Sequence, residues 1–128
     1  MSKIMIVEDD LDLCETYTDF LEAAGHTVKV ITSSAQAIDA LIRERNVPDL
    51  VILDMNLPGE SGIVVLGFIR RLPRLHNTKV IIVSGYVDMA NRAIAEWGAD
   101  LFLPKPVSLE KLRTSIGTFT SQNNVVMQ

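Results

Sequence analysis

The sequence predicts an α/β domain built on a parallel sheet that is buried on both faces. Short continuous apolar runs recur along the chain, and segments with apolar residues at helical spacing separate them. Continuous apolar runs are typical of parallel strands covered on both faces. Strict alternation with helices implies right-handed crossovers, which place helices on both sides of the sheet. At 128 residues, 48% of them apolar, the chain is expected to be one domain.

Four apolar runs and one segment in which Val28 and Val30 alternate with polar residues are the predicted strands. They cover residues 4–7, 27–31, 50–53, 79–83 and 101–103. A helix is predicted after each strand, from apolar residues spaced three or four apart. The first and fourth helices end at Gly25 and Gly98, glycine being a common residue just beyond a helix. The second closes near Asn46, the third covers about residues 63–71, and Ser108 caps the last.

Composition and charge exclude several classes of function. The formal net charge is −4, so direct binding to nucleic acid is not indicated. No apolar stretch approaches the roughly 20 residues of a membrane span, and the N-terminus lacks a signal-peptide layout, which favours a cytoplasmic location. Cys14 is the only cysteine, so no internal disulfide forms. The small basic cluster of Arg70, Arg71 and Arg74 is expected to be a solvated helix end.

Residues able to take part in phosphate chemistry follow four of the strands. They are Glu8 and Asp9, Asp54, Ser84, and Lys105. Ligands of open parallel sheets bind in the crevice outside the carboxyl ends of the strands. These side chains are therefore expected to meet at one edge of the molecule. Taken singly, Ser84 is a turn serine and Lys105 a surface lysine, but their position beside three acids favours a functional interpretation.

The three acids indicate a metal site. Glu8, Asp9 and Asp54 would repel one another in one crevice, and a hard divalent cation relieves that repulsion. Mg²⁺ accepts carboxylates while keeping water and room for phosphate oxygens, with Mn²⁺ as an alternative ion. Asp10 is explained by capping the next helix. Capping does not explain Asp54, because the helix after it starts only near Gly62, so Asp54 is the candidate nucleophile for phosphoryl transfer.

Taken together, these motifs resemble the receiver domain of two-component response regulators. The matching segments are Glu8-Asp9, Asp54-Met55-Asn56-Leu57-Pro58-Gly59 with Gly62, Ser84-Gly85, and Lys105-Pro106. The resemblance covers about residues 3–118, within an expected receiver domain of residues 1–120 and a polar tail of residues 121–128. It implies a flavodoxin-like, doubly wound five-stranded sheet in the order 2-1-3-4-5, as in the chemotaxis regulator.

The resemblance implies a role for each site residue. Asp54 would accept a phosphoryl group from the phosphohistidine of a histidine kinase or phosphotransfer protein. Asp9 would bind Mg²⁺ directly, Glu8 would bind it through water, and Asn56 would contribute its backbone carbonyl. Lys105 would contact the phosphoryl group. The peptide bond from this lysine to Pro106 is expected to be cis.

A switch is also implied. Ser84 would move to bond a phosphoryl oxygen, and Phe102 would turn into the space that it leaves, although plain strand packing explains Phe102 equally well. The face formed by the fourth helix, fifth strand and fifth helix would then change its affinity for a downstream partner or output domain. Asn56 and Tyr86 would modulate how fast water removes the phosphoryl group. Trp97 is expected to pack in the core.

Two other functions compete with this one. A receiver-like binding module could carry a silent site, which a test for Mg²⁺-dependent phosphorylation would detect. A phosphatase or mutase that forms an aspartyl phosphate would need an acid two residues after the nucleophile. Asn56 occupies that position and cannot transfer a proton, so this second alternative is disfavoured.

Overall fold

The computed structural model describes residues 2–43, 45 and 47–120, and it contains one five-stranded parallel sheet. The strands are β1 (Lys3–Val7), β2 (Thr27–Ile31), β3 (Leu50–Leu53), β4 (Lys79–Ser84) and β5 (Leu101–Pro104). The helices are α1 (Leu11–Ala23), α2 (Ser34–Arg43), α3 (Gly62–Arg71), α4 (Val87–Trp97) and α5 (Leu109–Thr120). The order β2-β1-β3-β4-β5 confirms the fold class and the strand order that the resemblance implied.

The register of the sheet brings the ends of β1 and β3 side by side. Val7 pairs with Leu53, and Leu53 pairs in turn with Ile82 of β4. The residues that follow β1 and β3 therefore leave the sheet at one edge. Since β1, β3 and β4 lie in the middle of the sheet, their side chains are buried on both faces, as continuous apolar strands require.

Two hydrophobic clusters form the core, one on each face of the sheet. The first lies beneath α2, α3 and α4 and includes Val51, Leu66 and Ala93. The second lies beneath α1 and α5 and includes Ile52, Tyr17 and Leu112. Successive residues of a strand point to opposite faces, so each central strand contributes to both clusters.

Several boundaries differ from the predictions. Helix α2 ends at Arg43, earlier than expected, and Asn46 lies outside the described residues. A single turn of 3-10 helix (Pro73–Leu75) was not predicted; proline at its first position suits such a turn because its missing N–H has no partner to lose. The predicted tail, residues 121–128, lies outside the described residues.

The arginines at the end of α3 and in the 3-10 turn after it also bond to the main chain. Arg70 donates to the carbonyl oxygens of Gly98 and Thr78 at 3.3 and 3.4 Å. Arg74 donates to the carbonyl oxygen of Leu41, and Arg71 to that of Gly67 at 3.2 Å. Arg71 and Arg74 are exposed to solvent, as expected, and each of the three guanidinium groups also satisfies a main-chain carbonyl.

Across the described ranges, no helix combines the length and the apolar character that crossing a bilayer requires.

Candidate functional site

Three carboxylates come together at the ends of β1 and β3. Glu8, Asp9 and Asp54 each offer an oxygen atom within 4.8 Å of the others. Glu8 and Asp54 are 4% and 5% exposed, whereas Asp9 is exposed to solvent. The structure thus brings together the three acids that the sequence predicted would meet. Like charges at this spacing need a compensating cation.

The turn after β1 is shaped by local hydrogen bonds. Asp10 caps α1, because its side chain accepts from the backbone N–H of Leu13 at 3.1 Å, which confirms the predicted cap. The backbone N–H of Asp10 donates to Glu8 Oε2 at 3.2 Å. Behind the turn, Cys14 Sγ donates to the Glu8 carbonyl oxygen at 3.3 Å. Glu8 is therefore fixed through both its side chain and its main chain.

Lys105 reaches the acids from the end of β5. Its Nζ lies 2.6 Å from Glu8 Oε1 and 3.6 Å from Asp54 Oδ2. Its backbone N–H donates to the carbonyl oxygen of Ser84 at 3.0 Å, and its peptide bond to Pro106 is cis. The sequence placed Lys105 near Asp54 but gave no sign of the closer pairing with Glu8.

Burial and charge shift the pKa values of this pair. Burial raises the pKa of Glu8 above 4.5; the hydrogen bond from Lys105 opposes that shift, and the negative charge of Asp54 adds to it. Burial lowers the pKa of Lys105, but the hydrogen bond to Glu8 and the charges of Asp54 and Glu8 outweigh burial and raise it above 10.5. Lys105 is therefore positively charged at neutral pH.

Ser84 and two further side chains form the rim of the site. Ser84 is fully buried, and its Oγ accepts from the backbone N–H of Tyr86 at 3.0 Å. Asn56 Nδ2 donates to Tyr86 Oη at 3.4 Å, and its backbone N–H donates to Asp54 Oδ1 at 3.3 Å. Tyr86 is 52% exposed and Asn56 is exposed as well, so this contact between the two side chains lies at the protein surface.

Phe102 lies on β5, two strands away from β3, which Asp54 follows. It is half-buried and packs against the cluster beneath α2, α3 and α4. On the sheet it is paired with Ile82. This position fits the strand-packing interpretation, and it also places the ring on the α4 side of the sheet.

Two contacts of the loop between β3 and α3 had no clear signal in the sequence. A Cβ at Gly62 would lie 2.1 Å from the Asp54 carbonyl oxygen, so a side chain there would displace the residue that carries the candidate nucleophile. Ser34 Oγ, at the start of α2, donates to the carbonyl oxygen of Glu60. Gly62 was part of the recognised pattern, but only the folded chain shows that it is needed for close approach.

The donor set fits a hard divalent cation. The three acids each offer a carboxylate oxygen within 4.8 Å of the others, and oxygen atoms of this kind are the ligands that Mg²⁺ prefers. Asp54 lies beside this donor set and within 3.6 Å of a lysine ammonium. A carboxylate, a cation site and a fixed positive charge are the components that phosphoryl transfer requires.

Residues 4–117 match the family model of the response regulator receiver domain. The chain belongs to this family. This match covers the sheet from the second residue of β1 onwards and includes the four strand ends at which the site residues stand.

Curated relatives and a solved structure agree with the assignment. The receiver is 34% identical over 113 residues to the transcriptional regulatory protein CpxR of Escherichia coli, covering 88% of this chain and 46% of CpxR. It is 29% identical to the polar-differentiation response regulator DivK of Brucella ovis, covering 91% and 94%. The response regulator TrrA of Thermotoga maritima, solved in complex with Mg²⁺ and BeF, superposes with a TM-score of 0.80 at 26% identity, covering 93% and 99%.

The relatives differ in length. This chain spans about half of CpxR but nearly all of DivK. The receiver fold is therefore found in proteins of different total size.

Proposed function

We propose that Asp54 is the phosphoacceptor of this receiver domain. The observation that carries the proposal is the convergence of Glu8, Asp9 and Asp54 within 4.8 Å, with Lys105 Nζ 3.6 Å from Asp54 Oδ2. A carboxylate oxygen of Asp54 attacks the phosphorus atom of a phosphohistidine. The nitrogen–phosphorus bond breaks, the imidazole leaves with its electron pair, and the aspartate becomes an acyl phosphate.

Positioning supplies most of the rate in such a transfer. Asp54 is 5% exposed and its side chain accepts from the Asn56 backbone N–H, so one of its oxygens is held while the other faces Lys105. Lys105 is held beside it by Glu8. When three phosphoryl oxygens arrive, the ammonium group has a new anionic partner at short range, and Ser84 can donate its hydroxyl proton to a second oxygen.

Mg²⁺ would be held by Glu8, Asp9, Asp54 and the backbone carbonyl of Asn56. It supplies positive charge that offsets the phosphoryl oxygens and the three acids. Complex formation of the relative TrrA with Mg²⁺ and BeF supports this assignment. Mn²⁺, which takes the same oxygen ligands, is expected to substitute.

The domain acts as a signalling switch rather than as an enzyme on other substrates. It catalyses only its own phosphorylation by a histidine kinase or phosphotransfer protein and the later hydrolysis of its acyl phosphate. Asn56 and Tyr86, joined at 3.4 Å above Asp54, limit how water approaches the phosphoryl group. The protein is expected to act in the cytoplasm, together with the histidine kinase or phosphotransfer protein that donates the phosphoryl group.

The output is a change in the face formed by α4, β5 and α5. Phosphorylation adds negative charge and acceptor oxygens at Asp54, which draws Ser84 inwards and lets Phe102 turn. A two-state equilibrium is then biased towards the form that binds a downstream protein or output domain. The name of CpxR as a transcriptional regulatory protein supports an output domain in some relatives of this chain.

Phosphorylation with acetyl phosphate and Mg²⁺ tests the proposal. Wild type should incorporate phosphate that is stable to acid and labile to hydroxylamine, and Asp54→Asn should not. Asp12→Asn, a charge-matched change on the exposed first turn of α1, should label like wild type. Undiminished labelling of Asp54→Asn would remove the assignment. Absence of labelling in wild type at any Mg²⁺ concentration would favour a silent binding module.

A further inference from the structure

The loop between β3 and α3 carries Asp54 and Asn56 and is closed at its base. The backbone N–H of Gly62 donates to the Met55 carbonyl oxygen at 2.8 Å, and the backbone N–H of Asn56 donates to Asp54 Oδ1 at 3.3 Å. The side chain of Met55 is fully buried and that of Leu57 nearly so, and both pack in the core. The first half of the loop is therefore fixed by contacts of its own.

The second half of the loop has fewer contacts. Pro58, Gly59 and Glu60 are exposed to solvent, and Gly59 has φ +83°. The backbone N–H of Glu60 donates to the Pro58 carbonyl oxygen at 3.2 Å, which is a bond within the segment itself. A segment with little buried surface needs a bond to a neighbouring element if it is to keep one conformation.

Ser34 supplies such a bond from α2. It is the first residue of that helix and is 1% exposed, and its Oγ donates to the Glu60 carbonyl oxygen. Among the described residues, no other side chain outside the loop is recorded as donating to residues 57–61. A buried hydroxyl without a partner is costly, so the hydroxyl and this carbonyl hold each other in place.

Capping of α2 is a separate task that the preceding residue performs. Ser33 Oγ accepts from the backbone N–H of Gln36 at 3.3 Å, and the Ser33 carbonyl oxygen accepts from the backbone N–H of Ala37 at 3.0 Å. Both bonds are those of an N-cap serine, which accepts from amides of its own helix. Ser34 instead donates to a carbonyl outside the helix, so its hydroxyl serves the loop and not the cap.

We propose that Ser34 is a positioning residue of the phosphoryl-transfer site and acts through this loop. Its bond to Glu60 restricts the backbone on the far side of Asn56, as the bond between Gly62 and Met55 restricts it on the near side. The inference rests on the proposed function, in which the Asn56 carbonyl oxygen binds Mg²⁺. A loop that is ordered beforehand loses less conformational freedom when it binds a cation.

Removal of the hydroxyl should weaken Mg²⁺ binding although no ligand is lost. Partners that contact metal ligands directly contribute about 10- to 100-fold in affinity. Ser34 acts four residues away from the ligand, so we expect the Kd for Mg²⁺ to rise roughly three- to tenfold in Ser34→Ala. At saturating Mg²⁺ the loop is already ordered, and the rate of phosphorylation by acetyl phosphate should approach that of wild type. Loss of a reacting group would lower the rate at every Mg²⁺ concentration.

Ser33→Ala is the matched control, because it removes a hydroxyl from the neighbouring residue and weakens α2 by the loss of its cap. The Kd is measured in the full chain from Mg²⁺-dependent shifts of the Met55 and Asn56 amide signals. Ser33→Ala should bind Mg²⁺ like wild type. Equal weakening in both variants, or an unchanged Kd in Ser34→Ala, would overturn the proposal.

The carbonyl carbon of Glu60 reports the hydrogen bond itself. Its ¹³C signal should move upfield in Ser34→Ala, because the carbonyl oxygen loses its donor, and stay in place in Ser33→Ala. If Ser34→Ala does not fold, Ser34→Cys replaces it, since a thiol is a weaker donor of similar size, and the same changes should appear to a smaller extent. A Glu60 signal that does not move in the folded variant would refute the assigned bond.

Failure of this inference differs from failure of the proposed function. A wild type that binds Mg²⁺ and is phosphorylated, together with a Ser34→Ala that does both equally well at every Mg²⁺ concentration, rejects the role of Ser34 and keeps Asp54 as phosphoacceptor. A wild type whose Met55 and Asn56 signals do not respond to Mg²⁺ rejects the proposed metal site, and any role of Ser34 in it, whatever the Glu60 signal shows.

Discussion

Replacing Asp9 with asparagine should stabilise the protein when divalent cations are removed. Its carboxylate lies within 4.8 Å of those of Glu8 and Asp54. Lys105 contacts the latter two acids, at 2.6 and 3.6 Å, and compensates part of their charge. Among the described residues, Glu8 and Asp54 form ion pairs and Asp9 forms none. Removing the charge of Asp9 therefore relieves repulsion without breaking an ion pair.

The expected size follows from the spacing and the exposure. Two unit charges 4.8 Å apart repel by roughly 3.5 kcal/mol at an effective dielectric of 20, and by roughly 0.9 kcal/mol in a water-like medium. Asp9 is exposed, so the lower figure applies to each of its two neighbours, and salt reduces it further. We expect Asp9→Asn to raise the free energy of unfolding by about 1 kcal/mol, which corresponds to roughly 3–5 °C in Tm for a domain of this size.

Thermal unfolding in chelator and in millimolar Mg²⁺ measures both effects. Wild type should gain roughly 2–3 kcal/mol when Mg²⁺ exceeds its Kd about a hundredfold, whereas Asp9→Asn should gain much less. Asp12→Asn is the control. Asp12 lies on the first turn of α1, where a negative charge interacts favourably with the helix dipole, so the substitution should lower the free energy of unfolding slightly and leave the Mg²⁺ response unchanged. If Asp9→Asn is destabilised in chelator and responds to Mg²⁺ like wild type, the three acids do not form one metal site.

Three further substitutions or conditions give distinct outcomes. Burial raises the pKa of Glu8, so the stability that its protonation contributes is complete below pH 4.5 and is lost as pH rises through its folded-state pKa. In chelator, the free energy of unfolding of wild type, measured in urea, should therefore fall from pH 4.5 towards neutrality relative to that of Glu8→Gln. Parallel pH dependence of the two proteins would contradict this. Burial raises the pKa of Cys14 from 9.0 to about 11, which lowers the thiolate fraction at pH 8 about a hundredfold. A thiol reagent at pH 8 should therefore modify the folded protein on the order of a hundredfold more slowly than the urea-unfolded chain, and equal rates would show that the thiol is not enclosed. Gly62→Ala should destabilise by about 2 kcal/mol or more in urea unfolding, because its Cβ would lie 2.1 Å from the Asp54 carbonyl oxygen, while Gly117→Ala should be neutral or stabilising.

The strands could be predicted because the pattern of each one is contained in a few consecutive residues. Runs such as residues 50–53 are apolar throughout, and only a strand covered on both faces requires this pattern. The site residues could be predicted for a related reason: Glu8, Asp54 and Lys105 directly follow strands, so the sheet itself brings them together. The strand order came from the family resemblance, since periodicity carries no information on which strands are neighbours.

The features that escaped prediction depend on contacts between distant residues. The ion pair of Lys105 with Glu8 joins side chains 97 residues apart in the sequence. The sequence pattern did not indicate whether Lys105 would lie closer to Glu8 or to Asp54. Glycine inside a helix is ordinarily destabilising, but at Gly67 the absent side chain makes room for Trp97, because a Cβ there would lie 2.8 Å from Trp97 Cε2. The 3-10 turn at Pro73 was missed because a single turn is too short to produce a periodic pattern.

The sheet that carries the site also divides the buried apolar residues into two clusters that pack on opposite faces. Side chains beneath α2, α3 and α4 do not share partners with those beneath α1 and α5, because a layer of backbone lies between them. Energies of substitutions at such independent positions generally add. A change that repacks Leu66 should therefore combine additively with one at Leu112. The two outer surfaces of this domain can then diverge in sequence at separate rates, each constrained by its own half of the core and both by the row of strand ends between them.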